Sequence, residues 1–343
     1  MSLHLAEVPA AHPSLESFPT DNLPETLGLE VQQFIDSQET AHPFQFPQFA
    51  IPGSRLVLLR QRGKICWAGT FELHLPLGQK APWIRALVAT GGPVCDDLQT
   101  WETATEELVA TMNRERFAFL EVSPDWVTIP ADDRVRQPKN APWKNMGDER
   151  VSLRLDLTPS EGELFARFRK ITRYEIRRAE RVGVVVSEAS NEEETGIFLD
   201  LYKSLAIRKR FRAESLQRLR KIIAWLMSAP GRGTLLLART HNGIRGGAVI
   251  GAFGRRCWYL WGANEKQEHL SVGHILQWRA LQWAKSHGCA EYDFGGYIPG
   301  ATSGPAWFKA GFGGSVIYSG TSYRRVTHSN RYRFYSTVLK IRS

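Results

Sequence analysis

Apolar residues along the chain follow two patterns, short runs rich in β-branched and aromatic residues and longer stretches with helical spacing. The first pattern predicts strands and the second predicts helices. The clearest helix is predicted over residues 271–287, where apolar side chains recur at helical spacing and Gly288 is placed as a C-terminal cap. Its apolar positions are Ile275, Trp278, Leu281 and Ala284. We interpret this stripe as core rather than as a cofactor site.

The predicted elements occur in the same order twice, as three strands, a helix and a further strand. The first set comprises strands 55–60, 65–72 and 84–88, helix 97–113 and strand 117–122. The second set comprises strands 234–239, 246–253 and 256–261, helix 271–287 and strand 290–294, and it follows helices 160–181, 192–209 and 215–227. Two copies of one α/β unit are the economical interpretation, and it rests on element order because no residue-level identity accompanies it.

A boundary between the two copies is predicted near residues 158–161. There the strand-like segment 151–157 meets a helix start, in which Ser160 is the N-cap and Glu163 takes the third position. A chain of 343 residues also exceeds a typical domain of about 100–200 residues, so two domains are expected from length alone. The segment beyond Tyr323 is too short to stand alone and is expected to pack back on one unit.

Composition narrows the class of protein. With 43% hydrophobic and 23% charged residues, the chain has the composition of a globular protein. The cysteines, Cys66, Cys95, Cys257 and Cys289, lack CxxC and metal-ligand spacing, so neither a disulfide framework nor a zinc site is expected. No basic segment precedes an apolar core near the N-terminus, and no apolar run approaches a membrane span. A cytoplasmic protein is expected, with any membrane contact peripheral, at the inner face.

Charge is distributed unevenly along the chain. The net charge is +9, yet residues 1–50 contain seven acidic residues and no lysine or arginine. The basic surplus concentrates in residues 167–181, 203–221 and 324–342, with seven, eight and six basic residues against two, one and none acidic. One such stretch is usually a solvated face, but three together favour a polyanionic partner such as RNA, a diphosphate or an acidic membrane.

The segment 290–314, AEYDFGGYIPGATSGPAWFKAGFGG, is the part of the chain densest in special residues. A strand of buried type ends at Asp293, and Gly295 and Gly296 then permit backbone conformations that other residues avoid. Lys309 follows two aromatic residues, a setting in which a pre-organised cation can stabilise a developing oxyanion. The plainer interpretation is a structural turn with a capping aspartate, followed by a surface lysine.

The sequence ILQWRALQWAKSHGCAEYDFGGY, followed by WFKAGFGG, resembles the signature of the Fem family of peptidoglycan interpeptide-bridge aminoacyltransferases. In that family an amphipathic helix ends in a glycine before a strand with YDFGG and a later FKxxFG. The resemblance extends more loosely to AHPFQFPQFA at 41–50, GGPVCDD at 91–97, FRKITRYEIRRAERVGVVV at 168–186, LYKSLAIRKRF at 201–211 and YLWGAN at 259–264. Most of the chain is thus covered in family order.

The resemblance implies an α/β (α+β) fold of two tandem GNAT-like acyltransferase domains, with mixed sheets flanked by helices. Residues 1–158 plus 324–343 would form the first domain, which binds the precursor. Residues 159–323 would form the second, which holds the aminoacyl-tRNA end and the transfer site. No extended heptad run occurs between 161 and 323, so the chain is expected to be of the armless, FemX-like type. A monomer is also expected.

Two functional residues are implied at the transfer site and one at the acceptor. The family's FK pair falls on Phe308 and Lys309, which implies a role for them in handling the tRNA 3′ end and stabilising the tetrahedral intermediate. Arg208 matches an arginine that binds the precursor diphosphate.

Further acceptor-site residues are implied less directly. Asp96, in GGPVCD, and Tyr259 or Trp261, in WYLWG, fall where acceptor-site residues of the family lie. Some members place a second diphosphate-binding residue, a lysine, near positions 44–50, where this chain has none. Arg55 is the candidate substitute.

The implied reaction is the tRNA-dependent transfer of an amino acid, such as glycine, alanine or serine, to an amine of the stem peptide. Aminoacyl-tRNA is the donor, the acceptor is UDP-MurNAc-pentapeptide or lipid II, and no cofactor or metal is expected. Because the ester is already activated, positioning and electrostatics can suffice, and no GxSxG or Cys/His nucleophile signature contradicts this.

Two alternatives stay open from the sequence. An acyl-CoA-dependent N-acyltransferase of GNAT-like fold, acting on a sugar or small amine, would be expected to carry a Q/RxxGxG/A loop. The nearest stretch, 267–274, contains only Gly273. A non-catalytic RNA-binding module would explain the arginines, but it would leave DFGG and WFK unexplained, and no RRM, KH or zinc-knuckle signature is found.

Overall fold

The computed structural model describes residues 14–125, 127–128, 143–147, 150–265, 270, 272–319 and 321–342. Two mixed β-sheets flanked by helices form the body of the protein, which confirms the predicted fold class. Along the first part of the chain the elements are β1 (Glu16–Pro19), α1 (Glu25–Asp36), β2 (Arg55–Gln61), β3 (Lys64–His74), β4 (Ala86–Gly91), β5 (Val94–Cys95), α2 (Leu98–Arg114), β6 (Phe119–Pro124), β7 (Val127–Thr128), β8 (Lys144–Asn145) and β9 (Arg150–Asp156).

Helices are more prominent in the second part of the chain, where three of them precede a run of strands. The elements are α3 (Glu161–Arg167), α4 (Lys170–Arg181), β10 (Val185–Glu188), α5 (Glu192–Lys209), α6 (Leu216–Met227), β11 (Gly233–Thr240), β12 (Gly243–Phe253), β13 (Arg256–Asn264), α7 (Val272–Ser286), β14 (Glu291–Gly296), α8 (Gly304–Ala310), β15 (Ser315–Ser319), β16 (Tyr323–Val326) and α9 (Ser329–Arg342). The predicted start of α7 at position 271 lies outside the described residues.

Each sheet is built around the same five-element unit. In the first sheet, β2, β3 and β4 run antiparallel, and α2 then crosses to β6, which lies parallel to β4. In the second sheet, β11, β12 and β13 run antiparallel, and α7 crosses to β14, parallel to β13. The strand orders are β1-β2-β3-β4-β6-β16-β8, with β5 on β3, and β10-β11-β12-β13-β14-β9-β15-β7. The predicted repetition of element order is confirmed.

The sheets divide the chain at a different place from the predicted boundary near residue 158. Strand β9, which the sequence places in the first unit, pairs with β14 and β15 of the second sheet. Its alternating side chains explain this, because Leu153 and Leu155 join the core beneath α7. Strand β16 returns to the first sheet beside β6, starting at Tyr323. Whether the folding domains follow the sheets or residues 1–158 plus 324–343 and 159–323 stays a prediction.

The helix predicted over residues 160–181 is two helices, α3 and α4. Ser160 and Glu163 form the predicted reciprocal cap at the start of α3. The break falls at Phe168, which is extended and whose buried ring packs against Trp278 at 5.4 Å between centroids. Arg173 of α4 donates to the carbonyl oxygens that end α3. Burial of one aromatic ring has therefore overridden a continuous helical pattern.

One apolar cluster joins the two units. It combines residues of α1, β2 and the short turns at 43–49 with residues of α5, α6 and β11–β13. Its large buried side chains include Val31, Phe46, Phe49, Phe198 and Phe253. Because this cluster crosses between the sheets, the units are held together by core-like packing, and a cleft between them has a fixed shape.

Candidate active site

A cavity of about 450 Å³ lies between the two units, at the point where β13 and β14 separate. These two strands pair only from Arg256 to Trp258 and from Glu291 to Asp293. Beyond this point their next residues line the cavity wall. The lining residues are His42, Pro43, Phe44, Thr90 and Asp125 from the first part of the chain, with Arg150, Val151, Ser152, Arg154, Trp258, Tyr259, Leu260, Trp261, Gly262, Asp293, Phe294, Gly295, Gly296, Lys309 and Ser319.

The YDFGG segment gives β14 its bend at the cavity. Tyr292 and Phe294 are fully buried beneath α7, so Asp293 points to the opposite face. One Asp293 carboxylate oxygen accepts the Gly295 N–H at 2.7 Å, and Gly295 adopts a φ of +72°, which favours glycine. The register with β9 shifts at this point. The predicted architectural role of YDFGG is thus visible as a fixed strand bend.

Lys309 faces this bend from α8. Its Nζ donates to the Gly296 carbonyl oxygen at 2.8 Å, and the lysine lines the cavity. Burial lowers the pKa of Lys309 to about 8, although the Asp293 carboxylate opposes the shift. The side chain is therefore mainly an ammonium at pH 7, and the strand bend holds it in place.

Two aspartates at corresponding places in the two units form ion pairs with the same arginine, Arg154. The Arg154 Nε donates to Asp293 at 2.9 Å, and an Nη donates to Asp125 at 3.1 Å. Asp125 directly follows β6 in the first unit. Asp293 lies in β14, which is the matching strand of the second unit. Arg256 adds a bond to Asp125 at 2.7 Å. This buried ion network joins the two units, and Asp125, Arg154 and Asp293 form part of the cavity lining.

The pKa values of both aspartates differ from those of an exposed aspartate. Burial alone raises the pKa of Asp125, but the surrounding guanidinium groups outweigh it and hold that pKa well below its usual range. Burial also raises the pKa of Asp293, with Arg154 and the Gly295 N–H acting in the opposite direction. Because Asp293 accepts from Ser152, Arg154 and Gly295, its geometry is that of an ionised carboxylate engaged in structure.

Aromatic residues of β13 form one wall of the cavity. Tyr259 and Trp261 both line it, as does Trp258. The Tyr259 hydroxyl lies directly over Gly262, where an added Cβ would fall 1.8 Å from the hydroxyl oxygen. Burial raises the pKa of Tyr259 to about 12, so the phenol stays neutral. This wall can donate hydrogen bonds and stack on a substrate without carrying charge.

The HPFQFP segment also lines the cavity, where His42 packs on Trp258 at 4.8 Å between ring centroids, and it covers the end of β4. Gln45 donates to the Thr90 carbonyl at 2.6 Å and accepts from the Thr70 N–H at 3.1 Å. Gly91, with a φ of +73°, leaves room for His42, since an added Cβ would fall 2.1 Å from its ring. Burial lowers the pKa of His42 to about 3, so the imidazole is neutral.

The structure brings three of the seven predicted site residues into the cavity: Lys309, Tyr259 and Trp261. Phe308 lies beside it, half-buried against the core, where its ring meets His274 at 4.8 Å between centroids. This ring anchors α8 and so fixes the direction of Lys309.

The other predicted residues lie outside the cavity lining. Arg208, at the end of α5, is exposed and donates to the Asn264 carbonyl at 3.0 Å, three residues beyond Trp261 on β13. Asp96 is exposed and accepts from Gln38. Arg55 is exposed on the β1–β2 edge, where it donates to Ser17 at 2.8 Å. The substrate-binding roles of these residues stay predictions.

Sequence reasoning missed His42, Asp125, Arg150 and Arg154. One signal was available: in β9, RVSLRLD, polar Ser152 and Arg154 alternate with leucines in a strand that is buried on both faces. A buried arginine requires a buried carboxylate partner. The partner, Asp125, is distant in sequence, so only the fold identifies it. Within the described ranges, no cluster of His, Cys, Asp and Glu side chains could hold a metal ion.

Solved structures resemble the chain over nearly its whole length. FemX superposes with a TM-score of 0.73 at 15% identity, covering 93% of this chain and 99% of FemX. The chain therefore has the FemX fold. The predicted resemblance to an armless, FemX-like protein is thereby confirmed at the level of fold. In addition, residues 166–309 match the family model of the acetyltransferase (GNAT) domain.

Two further solved structures resemble this chain over nearly its whole length. The C-terminal domain of a putative lysylphosphatidylglycerol synthetase from Agrobacterium fabrum has a TM-score of 0.58 at 11% identity, covering 92% of this chain and 98% of its own. A tandem GNAT protein from the clavulanic acid biosynthesis pathway has a TM-score of 0.50 at 13% identity, covering 92% and 99%. A comparison with curated protein sequences finds no match. The predicted tandem GNAT-like fold is confirmed, and the matches support a transferase.

Proposed function

We propose that this protein transfers an amino acid from charged tRNA to an amine of the stem peptide of a peptidoglycan precursor. The observation that carries the proposal is Lys309, a partly buried cation held by the Gly296 carbonyl in the cavity between two GNAT-like units. The FemX fold supports a donor of this kind. The FK pair of the sequence resemblance falls on the helix that positions this lysine.

The reaction requires few protein groups. The acceptor amine attacks the ester carbonyl carbon, the new C–N bond forms, and the C–O bond to the ribose breaks, with the amine proton passing to the ribose oxygen. Charge builds on the carbonyl oxygen, where the Lys309 ammonium can stabilise it. No cysteine lines the described part of the cavity, and the two serines there are engaged, Ser152 with Asp293 and Ser319 with the Arg150 carbonyl. Direct transfer without a covalent enzyme intermediate is therefore the mechanism we propose.

A basic and aromatic surface adjoins α8 and suits the RNA donor. Helix α4 presents Lys170, Arg173, Arg177 and Arg181 around an open depression. Beside it, Arg169 lies 5.2 Å from the ring of half-exposed Trp307, two residues before Lys309. Exposed aromatic rings among arginines are suited to single-stranded RNA, because bases stack on the rings while guanidinium groups meet phosphates. We infer that the tRNA 3′ end reaches the cavity across this surface.

An acyl-CoA donor is the second candidate, favoured by the GNAT domain match. The glycine pattern expected of a pyrophosphate loop is absent from the sequence before α7, which makes a tRNA donor the stronger proposal. The acceptor is a separate question, since one structural neighbour is named as a putative lysylphosphatidylglycerol synthetase.

Mass spectrometry tests donor and acceptor together. The protein is incubated with total charged tRNA, or with acetyl-CoA, and with UDP-MurNAc-pentapeptide, lipid II or phosphatidylglycerol. We expect a precursor to gain the mass of one or more amino acid residues with charged tRNA only. A gain of 42 Da from acetyl-CoA, roughly the mass of one acetyl group, would replace the proposal by the second candidate, and aminoacylated phosphatidylglycerol would replace the acceptor.

Donor binding can be tested without turnover. We expect binding of bare tRNA to weaken steeply with salt, since each neutralised phosphate releases a counterion. Arg181→Gln should lower this affinity, whereas Arg333→Gln, at another exposed helical position, on α9, should leave it unchanged. A salt-independent affinity would contradict RNA as the partner of α4.

A further inference from the structure

Helix α9 has one face buried and another that is exposed although apolar. Tyr335 and Val338 pack against the start of β6, where Ala118 and Phe119 are buried. On the outer side, Phe334 is 48% exposed and Ile341 80%. Phe334 and Ile341 are seven residues apart and so share one helix face. Burial against β6 therefore does not account for the apolar residues on the outer side of α9.

A tryptophan from a distant segment extends this surface. Trp83, which precedes β4, is 51% exposed, and its ring lies 6.5 Å from that of Phe334. Arg331 of α9 donates to the Trp83 carbonyl oxygen, which fixes the two segments together. We call Trp83, Phe334 and Ile341 the α9 patch. Two separate parts of the fold thus place large apolar side chains side by side in solvent.

The two chain segments that form the α9 patch contain no acidic residues. Residues 75–95 and 322–342 contain eight basic residues and no aspartate or glutamate. Two of the eight, Arg324 and Arg325, are neutralised by Glu121 and Glu106. The others include Lys80, Arg85, Arg331 and Arg333. The surroundings of the α9 patch therefore carry a positive charge.

Cations also crowd next to Trp83. Burial, together with the positive charges of Arg85 and Arg116, lowers the pKa of Arg331. Arg85 donates to the Glu115 backbone carbonyl at 2.8 Å and lies 4.4 Å from the Phe117 ring, so it is held at this corner. Three guanidinium groups that repel one another at a protein surface are stabilised by an anionic partner.

Two kinds of polyanion could complement this positive charge, RNA and an anionic bilayer. The side chains of the α9 patch favour the bilayer. Ile341 is aliphatic, is 80% exposed and offers no ring on which a base could stack. A tryptophan and a phenylalanine that share a surface with an exposed isoleucine and with basic residues are instead typical of helices that lie in a membrane interface. The α9 patch is also remote from the cavity. It covers the start of β6 at Phe119, and the cavity begins at Asp125, about 20 Å further along the strand.

We propose that the α9 patch docks the protein on the surface of a bilayer rich in anionic phospholipid. The apolar side chains enter the interface while the surrounding lysines and arginines meet the lipid phosphates. This proposal is independent of the donor and acceptor of the transfer reaction. No helix in the described part of the chain has the length and apolar character needed to cross a membrane, so the contact is peripheral.

Vesicle co-sedimentation of the full chain tests the proposal. Vesicles of equal parts phosphatidylglycerol and phosphatidylcholine are compared with pure phosphatidylcholine at low and at 0.5 M salt. We expect binding to the anionic vesicles only, weakened by salt because the lipid charge is screened. Equal binding to both vesicle types, or none to either, would overturn the proposal.

Matched variants locate the contact. Ile341→Ser should reduce the partition coefficient about fivefold to tenfold, whereas Ile207→Ser, at a 71% exposed position on α5, should leave it unchanged. Arg333→Gln should reduce it about fivefold, and Arg181→Gln on α4 should not. All four side chains are exposed, so the melting temperature should not change.

The competing partner is tested with the same variants. If Ile341→Ser and Arg333→Gln weakened bare tRNA binding and left vesicle binding intact, the α9 patch would belong to RNA, and the proposal would be wrong. Loss of vesicle binding with full transfer activity towards a soluble acceptor would support docking separately from catalysis.

Discussion

The two units of this protein differ in how far their two parallel strands, joined by the crossover helix, stay paired. In the first unit β4 and β6 pair in register over six residues, Ala86–Gly91 with Phe119–Pro124. In the second unit β13 and β14 pair over only three, Arg256–Trp258 with Glu291–Asp293. The closed pair has its end covered by His42 and Gln45, and the open pair leaves a cavity. One architecture thus has a covered strand end in one copy and an open cavity in the other.

The open end is stabilised by polar groups rather than by ladder hydrogen bonds. Asp293 fixes the bend through Gly295, and Arg154 ties that aspartate to Asp125 of the first unit. Separating two strands leaves backbone groups unpaired, so other partners must satisfy them. One such carbonyl, at Gly296, accepts from Lys309. The bend that opens the site therefore also positions its central cation.

The largest effect is expected from Asp293→Ala, which removes the group that holds the open end. Without this carboxylate Arg154 is left buried with Asp125 alone, and the Gly295 N–H loses its acceptor, so the free energy of unfolding should fall by about 3–5 kcal/mol. Urea denaturation measures this. Glu291→Ala is the control on the same strand: that side chain is half exposed on Arg256, and its loss should cost under about 1 kcal/mol. Equal costs would show that the bend does not depend on Asp293.

Lys309→Ala tests the chemistry of the open end. We expect transfer from charged tRNA to fall by roughly 10² to 10³, the scale associated with removing one oxyanion-stabilising group. Single-turnover rates with saturating donor measure it. Lys285→Ala, on α7 and bonded to the Leu157 carbonyl, is a control lysine that should leave the rate unchanged. Near-full activity in Lys309→Ala would exclude the assigned role.

Gly91→Ala tests the closed end. The new Cβ would overlap His42 and impose a left-handed φ on alanine, so we expect a loss of about 2–3 kcal/mol in the free energy of unfolding. Gly53→Ala is the matched control, because its φ is +82° with nothing within 4 Å, and it should lose only about 1 kcal/mol. A difference near zero between the two variants would mean that the cover over β4 adjusts freely.

The smallest effect is in the pH profile. The Lys309 pKa is lowered to about 8, so the ammonium form decreases above that pH, while an ordinary acceptor amine becomes more reactive up to about pH 10. Single-turnover rates should therefore rise towards pH 8 and then level. Lys309→Arg keeps its charge, so its rate, though lower, should continue to rise between pH 8 and 9. A profile that levels at the same pH in this variant would assign the transition to another group.

Much of the fold could be predicted from the sequence, because period and capping are local properties. The helix starting after Asn191 and the strands around residues 55–74 and 233–264 lie within a few residues of their predicted places. The break at Phe168 could not be predicted, since it depends on the burial of one ring against Trp278. The membership of β9 in the second sheet depends on strand pairing, which the local pattern does not specify.

The candidate site, like the fold, was predictable only in part. The sequence by itself determined the repeated order of elements and the glycine bend after Asp293, because periodicity and glycine positions are local properties. The resemblance to the Fem family added Lys309, Tyr259 and Trp261 as candidates. Only the tertiary structure decided that Lys309 faces the Gly296 carbonyl and that Asp125 and Asp293 share Arg154. These contacts join residues up to 168 positions apart, from Asp125 to Asp293, and burial pairs such charges only when the whole fold brings them together.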